Sequence, residues 1–310
     1  MSKILITGGT GFIGTNLSNS LKKRGHQVIV SDLLSSNLDN SIRCDVSNYR
    51  QLENLFQKIE NIDFVYHLAA EYGRWNGEDY FENLWQTNVI GLKNIIRLQE
   101  QLKFKMIFFS SAEVYGDFDN EMSESIMKDN PISDTYQMND YAISKWAGEL
   151  ICMNSMRMFD TKTVIVRPVN CYGPYEHYTP YRGFIPKFIY KNLMKQTYEV
   201  YKGHYRIIDY VDDTCNTLSN ILTNFKSGEA YNVGSDQKWE YDIKTYSDII
   251  IKLIGINDNH VKYFDSEINT TKRKKIDFSK AIKDLGHDPK ISPEEGIEKT
   301  IKWMKDYYRI

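Results

Sequence analysis

Short apolar runs alternate with amphipathic segments along the first half of the chain. The apolar runs predict buried strands at Ile4–Thr7, Gln27–Ser31, Asp63–Leu68, Lys105–Ser110 and Thr163–Arg167. Between them, apolar positions recur at helical spacing in Thr15–Arg24, Tyr49–Ile59, Thr87–Lys103 and Tyr141–Met158. Because strand and helix alternate in this way, the pattern predicts an α/β fold with a doubly wound parallel sheet and helices on both faces.

The pattern changes after Pro168. Four of the seven prolines fall within 168–205, and short helices alternate with charged loops from 235 onward. We interpret 1–167 plus about 206–234 as the larger domain, and about 168–205 plus 235–310 as a smaller, mostly C-terminal α+β domain. The further predicted elements are a strand over Tyr205–Val211, a helix from Asp212 to about Thr223, and a helix over Pro293–Tyr308.

Composition excludes several classes of function. Among 310 residues, 39 are Lys or Arg and 41 are Asp or Glu. The chain therefore lacks the net positive charge that is typical of proteins that bind nucleic acid or an anionic membrane. The apolar runs are far shorter than a membrane span, and the first residues lack the features of a signal peptide. The cysteines show no metal-ligand spacing and predict reduced thiols: Cys44, Cys152, Cys171 and Cys215. We therefore expect a cytoplasmic protein without a metal site.

A glycine loop directly follows the first predicted strand and opens a predicted helix. Gly8, Gly11 and Gly14 stand at the spacing that lets a backbone approach a pyrophosphate, with Phe12 and Ile13 between the last two. Side chains at the glycine positions would block that approach. The pattern predicts a Rossmann-type dinucleotide-binding fold.

Two acidic positions add to this interpretation. Asp32 ends the second predicted strand, 18 residues beyond Gly14. A carboxylate there accepts hydrogen bonds from ribose hydroxyls and repels a 2′-phosphate, so it predicts NAD as the cofactor rather than NADP. Asp45 and Val46 are a weaker signal, typical both of a site beside the adenine and of a simple helix cap.

A phenol and an ammonium group share one face of a predicted helix. Tyr141 and Lys145 are four positions apart. Since a lysine charge stabilises phenolate, we expect it to lower the pKa of Tyr141 toward neutrality and make the phenol a proton acceptor. Ser111 and Glu113 follow a buried strand, at the edge of a parallel sheet where ligands bind. All four side chains are therefore expected in one crevice.

Several motifs occur in a fixed order along nearly the whole chain, and together they resemble those of a known family. The chain resembles extended short-chain dehydrogenases/reductases, in the branch of NAD-dependent nucleotide-sugar epimerases and dehydratases. The motifs are Gly8-Gly9-Thr10-Gly11-Phe12-Ile13-Gly14, His67-Leu68-Ala69-Ala70, Ser111…Val114-Tyr115-Gly116, Tyr141…Lys145, Arg167-Pro168-Val169-Asn170-Cys171-Tyr172-Gly173-Pro174, Arg206…Tyr210-Val211-Asp212-Asp213, Tyr231-Asn232-Val233-Gly234 and Asp277-Phe278-Ser279-Lys280-Ala281.

The resemblance implies roles for the crevice residues. Ser111, Tyr141 and Lys145 match the family's catalytic triad, in which the tyrosine takes a proton from a sugar hydroxyl, usually at C4, while hydride passes to a tightly bound NAD. Lys145 would also bind the nicotinamide ribose. The motif after the third strand would contribute further cofactor contacts: Leu68, Ala69 and Ala70.

The implied substrate is a nucleotide-diphosphate sugar. Asn170 and Arg206 match positions that hold the diphosphate, a task that suits a bidentate arginine. Lys274 is the alternative to its neighbour Arg273 as a second phosphate contact. The complete set of substrate-binding candidates is Arg74, Ser111, Asn170, Arg182, Arg206 and Arg273.

Two segments depart from the family pattern. Between Arg206 and Tyr210 the family usually has Asp-Phe or Asp-Trp, whereas this chain has Ile207-Ile208, which changes the expected shape of the base or sugar pocket. The segment Glu71–Gly77 is unlike the common family versions and is expected to line the sugar, which makes Arg74 a candidate for substrate specificity.

The residues after Ser111 discriminate among the family's reactions. The 4,6-dehydratases carry Thr-Asp-Glu or Thr-Ser-Glu here, glucuronate decarboxylases Thr-Ser-Glu, and 4-epimerases commonly Ser-Ala-Thr; this chain has Ser111-Ala112-Glu113. A carboxylate removes the acidic C5 proton of a 4-keto sugar. Ala112 leaves the elimination in need of water or Ser111 as the acid.

We therefore favour an NDP-hexose 4,6-dehydratase with Glu113 as the C5 base, with a 4-epimerase as the main alternative. A glucuronate decarboxylase, a C3/C5 epimerase and a 4-keto reductase remain open, and the intact Tyr141–Lys145 pair disfavours a non-catalytic sensor. Since family members commonly dimerise through the helices that correspond to about Thr87–Lys103 and Tyr141–Met158, we expect a homodimer through a four-helix bundle.

Overall fold

A parallel sheet of seven strands forms the centre of the computed structural model, which describes residues 1–35, 40–129, 135–267 and 270–310. Its strands are β1 (Lys3–Thr7), β2 (Gln27–Asp32), β3 (Ser41–Arg43), β4 (Phe64–His67), β5 (Lys105–Phe109), β6 (Lys162–Pro168) and β11 (Ala230–Val233). They lie in the order β11-β6-β5-β4-β1-β2-β3, and every neighbouring pair is parallel. The predicted doubly wound α/β fold is confirmed.

Helices cover both faces of this sheet, so its central strands are nearly continuous apolar runs. In β1, Ile4 and Ile6 pack into one core cluster, whereas Leu5 packs into the cluster on the opposite face. The helices associated with the sheet and its loops are α1 (Phe12–Lys23), α2 (Tyr49–Ile59), α3 (Arg74–Asp79), α4 (Phe81–Trp85), α5 (Leu92–Leu102), α6 (Ile126–Asp129), α7 (Asp140–Phe159), α9 (Val211–Asn220) and α11 (Ser279–Leu285). Apolar residues of α1 and α9 belong to the first cluster, and those of α2 and α5 to the second.

A separate apolar cluster organises the rest of the chain. It combines α8 (Phe184–Leu193), α10 (Ile243–Ile254) and α12 (Pro293–Tyr308) with the parallel pair β8 (Tyr198–Tyr201) and β13 (Val261–Phe264). Two more strand pairs are short: β7 (Cys171–Tyr172) with β10 (Asp209–Tyr210), and β9 (Tyr205–Arg206) with β12 (Tyr241–Asp242). The domain boundaries drawn from the sequence stay a prediction.

The segment Tyr205–Val211 differs from the single strand that its apolar pattern predicts. It splits into β9 and β10, which pair with different partners outside the seven-stranded sheet, and α9 already begins at Val211. Ile207 and Ile208 lie between the two short strands with only 2% of each side chain's surface exposed. Burial of both isoleucines, rather than alternation across a sheet, therefore explains their apolar character.

Two helix boundaries also differ. The first helix begins at Phe12 rather than at Thr15, directly after the glycine loop. The segment predicted as one helix over Thr87–Lys103 begins with a π-helical turn, Gln86–Gly91, and continues as α5. None of the helices in the described ranges is long and apolar enough to span a bilayer.

Candidate active site

A cleft of about 410 Å³ opens at the carboxyl ends of the central strands. Its walls come from both the sheet and the smaller cluster of helices. Many of the residues singled out by the sequence line it together: Phe12, Ile13, Arg74, Ser111, Glu113, Tyr141, Asn170, Arg182 and Arg206. The topology thus brings together side chains that are up to 194 positions apart in the sequence (Arg206 minus Phe12).

The glycine loop on one side of the cleft has no room for side chains. Gly8 adopts φ +70°, and a Cβ there would lie 2.7 Å from the backbone nitrogen of Ala69. A Cβ on Gly14 would lie 2.7 Å from the Cα of Gly9. Gly11 is the N-cap of α1 and offers no side-chain acceptor to the first turn, so the N–H groups of that turn are available to an anion.

Asp32 lies at the end of β2, beside this loop. Its Oδ2 accepts a hydrogen bond from the N–H of Thr10 at 3.1 Å, which fixes the carboxylate next to the glycine loop. A carboxylate has further lone pairs for hydroxyl donors. The loop and Asp32 together fit the pyrophosphate and ribose of NAD.

The weaker acidic signal has a local structural role. Asp45 Oδ1 accepts hydrogen bonds from the N–H and the hydroxyl of Ser47, at 2.8 and 2.7 Å. Val46 is buried against Gly91, where an added Cβ would lie 2.7 Å from a Val46 methyl carbon. The turn explains Asp45 without a ligand, and cofactor contacts by Asp45 and Val46 stay a prediction.

The motif after β4 closes the other side of the glycine loop. The N–H of Leu68 donates to the carbonyl of Thr7 at 3.1 Å, and the backbone of Ala69 touches Gly8. Leu68, Ala69 and Ala70 therefore lie along the edge where the resemblance places the cofactor.

Ser111, Tyr141 and Lys145 converge at the end of β5. Ser111 caps a short 3-10 turn over Ala112–Tyr115, and its hydroxyl accepts a hydrogen bond from the N–H of Glu113 at 3.1 Å. Lys145 is buried, and its Nζ donates to the carbonyl of Phe109 at 2.8 Å. That Nζ lies 5.8 Å from the centre of the Tyr141 ring.

The pKa of Tyr141 runs opposite to the expectation from the sequence. Burial raises this pKa to about 12, and the negative charge of Glu113 adds to the effect, while hydrogen bonding with Ser111 opposes it. Burial also lowers the pKa of Lys145 to about 8. Lys145 donates to the Phe109 carbonyl, and the groups that shift the pKa of Tyr141 in this structure are Ser111 and Glu113, besides burial.

Glu113 faces a cation that comes from a distant part of the chain. Lys274 Nζ lies 2.7 Å from Glu113 Oε1, and only 7% of the Lys274 surface is exposed. Burial raises the pKa of Glu113, but the charge and hydrogen bond of Lys274, with smaller contributions from Arg74 and Arg206, lower it overall. Glu113 is therefore ionised at neutral pH.

The extended conformation of 272–275 decides which cation contacts Glu113. Tyr205 N–H donates to the Lys272 carbonyl at 2.7 Å, and Met122 N–H donates to the Lys275 carbonyl at 2.7 Å. Neighbouring side chains of an extended segment point to opposite sides. Lys274 thus points inward, while Arg273 is half-exposed and forms a bidentate pair with Glu240. Arg273 does not reach the cleft.

The other arginine candidates line the cleft in different environments. Arg206 is buried and donates to Thr270 Oγ1 at 2.9 Å and to the Thr271 carbonyl at 2.7 Å. Arg74 forms an ion pair with Glu267 at 3.1 Å. The Arg182 guanidinium lies 3.8 Å from the centre of the Tyr72 ring.

The loop around Asn170 bends sharply. Asn170 adopts φ +28°, and its side chain donates to the Ile207 carbonyl at 3.2 Å. On the same loop, the carboxyl of Glu176 is buried in the cleft wall without a hydrogen-bond partner for Oε2 among the described residues. Burial raises the pKa of Glu176 to about 8, against the charge of Arg182.

Sequence reasoning missed three parts of this site: the contact of Lys274 with Glu113, the contact of Arg74 with Glu267, and Glu176. None of them follows a local spacing rule. The sequence has a run of four cationic residues over 272–275, but no local pattern pairs Lys274 with Glu113. In the part of the chain that the structure describes, no cluster of His, Cys, Asp and Glu is placed to hold a metal ion.

The seven-stranded sheet, the glycine loop and the carboxylate after β2 define a Rossmann-type protein that binds a dinucleotide. The chain belongs to the NAD dependent epimerase/dehydratase family, whose sequence model matches residues 4–234. The cofactor is accordingly NAD, and the resemblance inferred from the motifs is confirmed.

Relatives in this family catalyse different reactions. The chain is 29% identical over 319 residues to a UDP-N-acetyl-alpha-D-glucosaminuronate decarboxylase of Bacillus cytotoxicus, covering 98% of each chain. It is 30% identical over 370 residues to a dTDP-D-glucose 4,6-dehydratase of Dictyostelium discoideum, covering 99% of this chain and 82% of the relative. The structure of UDP-glucuronic acid 4-epimerase from Bacillus cereus, in complex with UDP-glucuronic acid and NAD, matches with a TM-score of 0.85 at 25% identity, over 99% of this chain and all of that one.

Proposed function

We propose that the protein is an NAD-dependent NDP-hexose 4,6-dehydratase. The observation that carries this proposal is the ionised carboxylate of Glu113 on the cleft wall, two residues from Ser111 and close enough to Tyr141 to raise the pKa of that phenol. A dehydratase needs a base for the C5 proton in addition to the group that deprotonates the C4 hydroxyl. A 4-epimerase needs no such carboxylate.

In the first step, Tyr141 accepts the proton of the C4 hydroxyl, and Ser111 holds the same oxygen. Bound NAD supplies a hydride acceptor at C4 and the positive charge of its oxidised ring, which favours the phenolate form of Tyr141. Lys145, fixed by the Phe109 carbonyl, is placed to bind a ribose hydroxyl. Once C4 is a ketone, Glu113 takes the C5 proton.

The walls of the cleft suit a nucleotide-diphosphate sugar. Arg206, Asn170 and Arg182 line the cleft on the side of the smaller helical cluster, where the guanidinium groups meet the charge of a diphosphate. Arg74, at the start of α3, lies near enough to Glu113 for its charge to lower the pKa of that carboxyl, as the charge of Arg206 also does. We assign Arg74 to the sugar end.

One observation favours a second candidate, an NDP-hexuronate decarboxylase. Three cationic side chains act on the region around Glu113: Lys274 directly, and Arg74 and Arg206 through their charges. Such a cluster also suits a sugar with a C6 carboxylate, which is lost as carbon dioxide once C4 is a ketone. Glu113 would then orient the sugar rather than act as a base.

A panel of nucleotide sugars in deuterated water separates these reactions. Purified protein is incubated with UDP-, dTDP-, GDP- and CDP-linked hexoses and with UDP-linked hexuronates, and the products are analysed by mass spectrometry. Loss of water with one carbon-bound deuterium supports the dehydratase. Loss of carbon dioxide from a hexuronate, or an isomer of unchanged mass without carbon-bound deuterium, overturns it in favour of the decarboxylase or the 4-epimerase.

We further propose that the protein forms a homodimer through a four-helix bundle. Apolar side chains are exposed on both segments: Ile143 and Leu150 lie seven positions apart on one face of α7, and Ile90 and Leu102 are exposed on the segment leading through α5. Pairing two copies would bury these side chains. Light scattering that shows a monomer at micromolar concentration would contradict the dimer. The cytoplasmic location stays a prediction.

A further inference from the structure

Lys274 is a buried cation that contacts the carboxylate of Glu113. Binding of a diphosphate does not explain this contact. Its neighbours Lys272, Arg273 and Lys275 are exposed, whereas Lys274 is buried and in contact with Glu113. Burying an ammonium group costs free energy unless it is paired. Here the pairing partner is the carboxylate that we propose as the base, so the two groups are expected to work on the same atoms.

Elimination of water from a 4-keto hexose needs an acid as well as a base. The proton is removed from C5, and the hydroxyl leaves from the adjacent C6. Because these carbons are bonded to each other, an acid that reaches the departing oxygen must lie within a few ångströms of the base. The structure places Lys274 Nζ 2.7 Å from Glu113 Oε1.

The other donors near Glu113 are committed elsewhere. Ala112 carries no acid and packs into an apolar cluster. The hydroxyl of Ser111 already accepts from the Glu113 N–H and is linked to Tyr141. Lys145 donates to the Phe109 carbonyl. Among the described residues, Lys274 is therefore the cationic donor in direct contact with the base.

We propose that Lys274 is the catalytic acid that protonates the departing C6 oxygen, while Glu113 takes the C5 proton; this rests on the proposed dehydratase function. The C5–H electron pair forms the C5–C6 double bond, the C6–O bond breaks, and the oxygen leaves as water with the proton of Lys274. Bound NAD would supply C6 with the hydride taken from C4, and a proton would return to C5.

The charges of the pair support this assignment. Glu113 and Lys274 begin as an ion pair and end as a neutral carboxylic acid and a neutral amine, so the net charge of the cleft does not change during the elimination. A buried site favours a neutral pair over an ion pair more than water does. Burial also lowers the pKa of Lys274, against the charge of Glu113, and the positive charges of Arg206 and Arg74 lower it further. A lower pKa makes the ammonium a stronger acid.

The test separates proton donation from the other roles of a cation. The Lys274→Met and Lys274→Arg variants are compared with wild type and with Lys275→Met, a control at the exposed neighbour. The probes are dTDP-glucose and UDP-glucose and their 6-deoxy-6-fluoro analogues, in deuterated water. Fluoride leaves as an anion and needs little help from an acid. NAD content and the thermal unfolding midpoint check that each variant is folded.

For Lys274→Met we expect water loss to fall at least ~100-fold, as for the loss of a general acid. Deuterium exchange at C5 of the recovered glucose substrate should stay within about 10-fold of wild type, since Glu113 remains. Fluoride release should also stay within about 10-fold, since it bypasses the acid. Lys274→Arg keeps the positive charge but does not give up its proton, so it should lose water elimination and keep exchange and fluoride release. Lys275→Met should behave as wild type.

Three results would overturn the proposal. Water loss by Lys274→Met or Lys274→Arg at the wild-type rate removes the need for this acid. Equal loss of exchange, water elimination and fluoride release in Lys274→Met, with recovery of all three in Lys274→Arg, makes Lys274 a positioning residue for Glu113. If wild type eliminates neither water nor fluoride from these four probes, and no water from the GDP- and CDP-linked hexoses, the dehydratase function fails, and the acid fails with it.

Discussion

Removing one partner of the buried ion pair between Glu149 and Arg167 should be among the most destabilising single changes near the active site. Arg167 Nη2 lies 2.6 Å from Glu149 Oε2, and Arg167 Nε lies 2.9 Å from Glu149 Oε1. The two side chains are 3% and 1% exposed. The hydroxyl of Ser110, the residue before Ser111, also donates to Glu149 at 2.5 Å. The pair therefore supports the end of β5 from beneath.

The magnitude follows from removing one partner. Glu149→Gln leaves the Arg167 guanidinium buried without its counter-charge, which costs about 3–5 kcal/mol in comparable sites. A domain is stabilised by only about 5–15 kcal/mol in total, so this variant should lose a large fraction of its free energy of unfolding. Adding Arg167→Met removes the unpaired charge, and the double variant should be less destabilised than the sum of the two single variants.

Urea unfolding followed by circular dichroism measures these free energies. Asp248→Asn is the matched control, because it breaks an exposed ion pair between Lys244 and Asp248 at 2.7 Å; we expect a loss of at most about 0.5 kcal/mol there. The reasoning would be refuted by a loss below about 1 kcal/mol for Glu149→Gln, or by strict additivity in the double variant.

Four further predictions concern the cleft. Gly14→Ala places a Cβ 2.7 Å from the Cα of Gly9, so NAD affinity should fall at least ~10-fold; an unchanged NADH fluorescence titration would contradict the role of this loop. Tyr141→Phe should lower kcat by about 10²–10⁴-fold while bound NAD is retained, and unaltered turnover would exclude Tyr141 as the proton acceptor. Asp32→Ala should reduce the preference for NAD over NADP in paired titrations, and an unchanged preference would count against ribose recognition by Asp32. Burial raises the pKa of Glu176 to about 8, so the free energy of unfolding should fall as pH rises from about 4.5 to 8, where Glu176 is deprotonated in the unfolded chain but still protonated in the folded one. In urea unfolding at a series of pH values, Glu176→Gln should flatten this fall. An unchanged slope would show that other groups cause it.

Local patterns in the sequence determined the sheet and the cofactor loop. The predicted strands β1, β2, β4, β5 and β6 each contain a short apolar run, which is typical of a parallel sheet covered by helices on both faces. The prediction of a single strand over Tyr205–Val211 was wrong. It rested on Ile207 and Ile208, which are buried between two short strands. Periodicity reports burial, and it does not say whether burial occurs in a sheet.

The glycine loop was predictable because its constraint is local. Gly8 and Gly14 are required by contacts with the backbone of Ala69 and Gly9, and Asp32 follows at the end of the next strand. These residues act through the backbone geometry of one strand, one turn and one helix. A spacing rule captures that geometry completely.

Tertiary structure alone decided the chemistry around Glu113. Lys274 is 161 residues away from Glu113 in the sequence. Whether Lys274 or Arg273 contacts Glu113 depends on the pairing of the extended segment 272–275 with Tyr205 and Met122. A run of charged residues in the sequence does not show which side chain points inward. The folded segment does, because successive side chains of an extended chain point to opposite sides.

The pKa of Tyr141 shows the same division. The sequence places Lys145 one helical turn away, and that spacing suggests an acidic phenol. The folded chain buries the phenol near the charge of Glu113, so the pKa of Tyr141 rises to about 12 instead. The sequence by itself determined which groups share a helix face and a strand end. Only tertiary structure decided their solvation and their counter-charges, because desolvation and ion pairing depend on everything packed around a group.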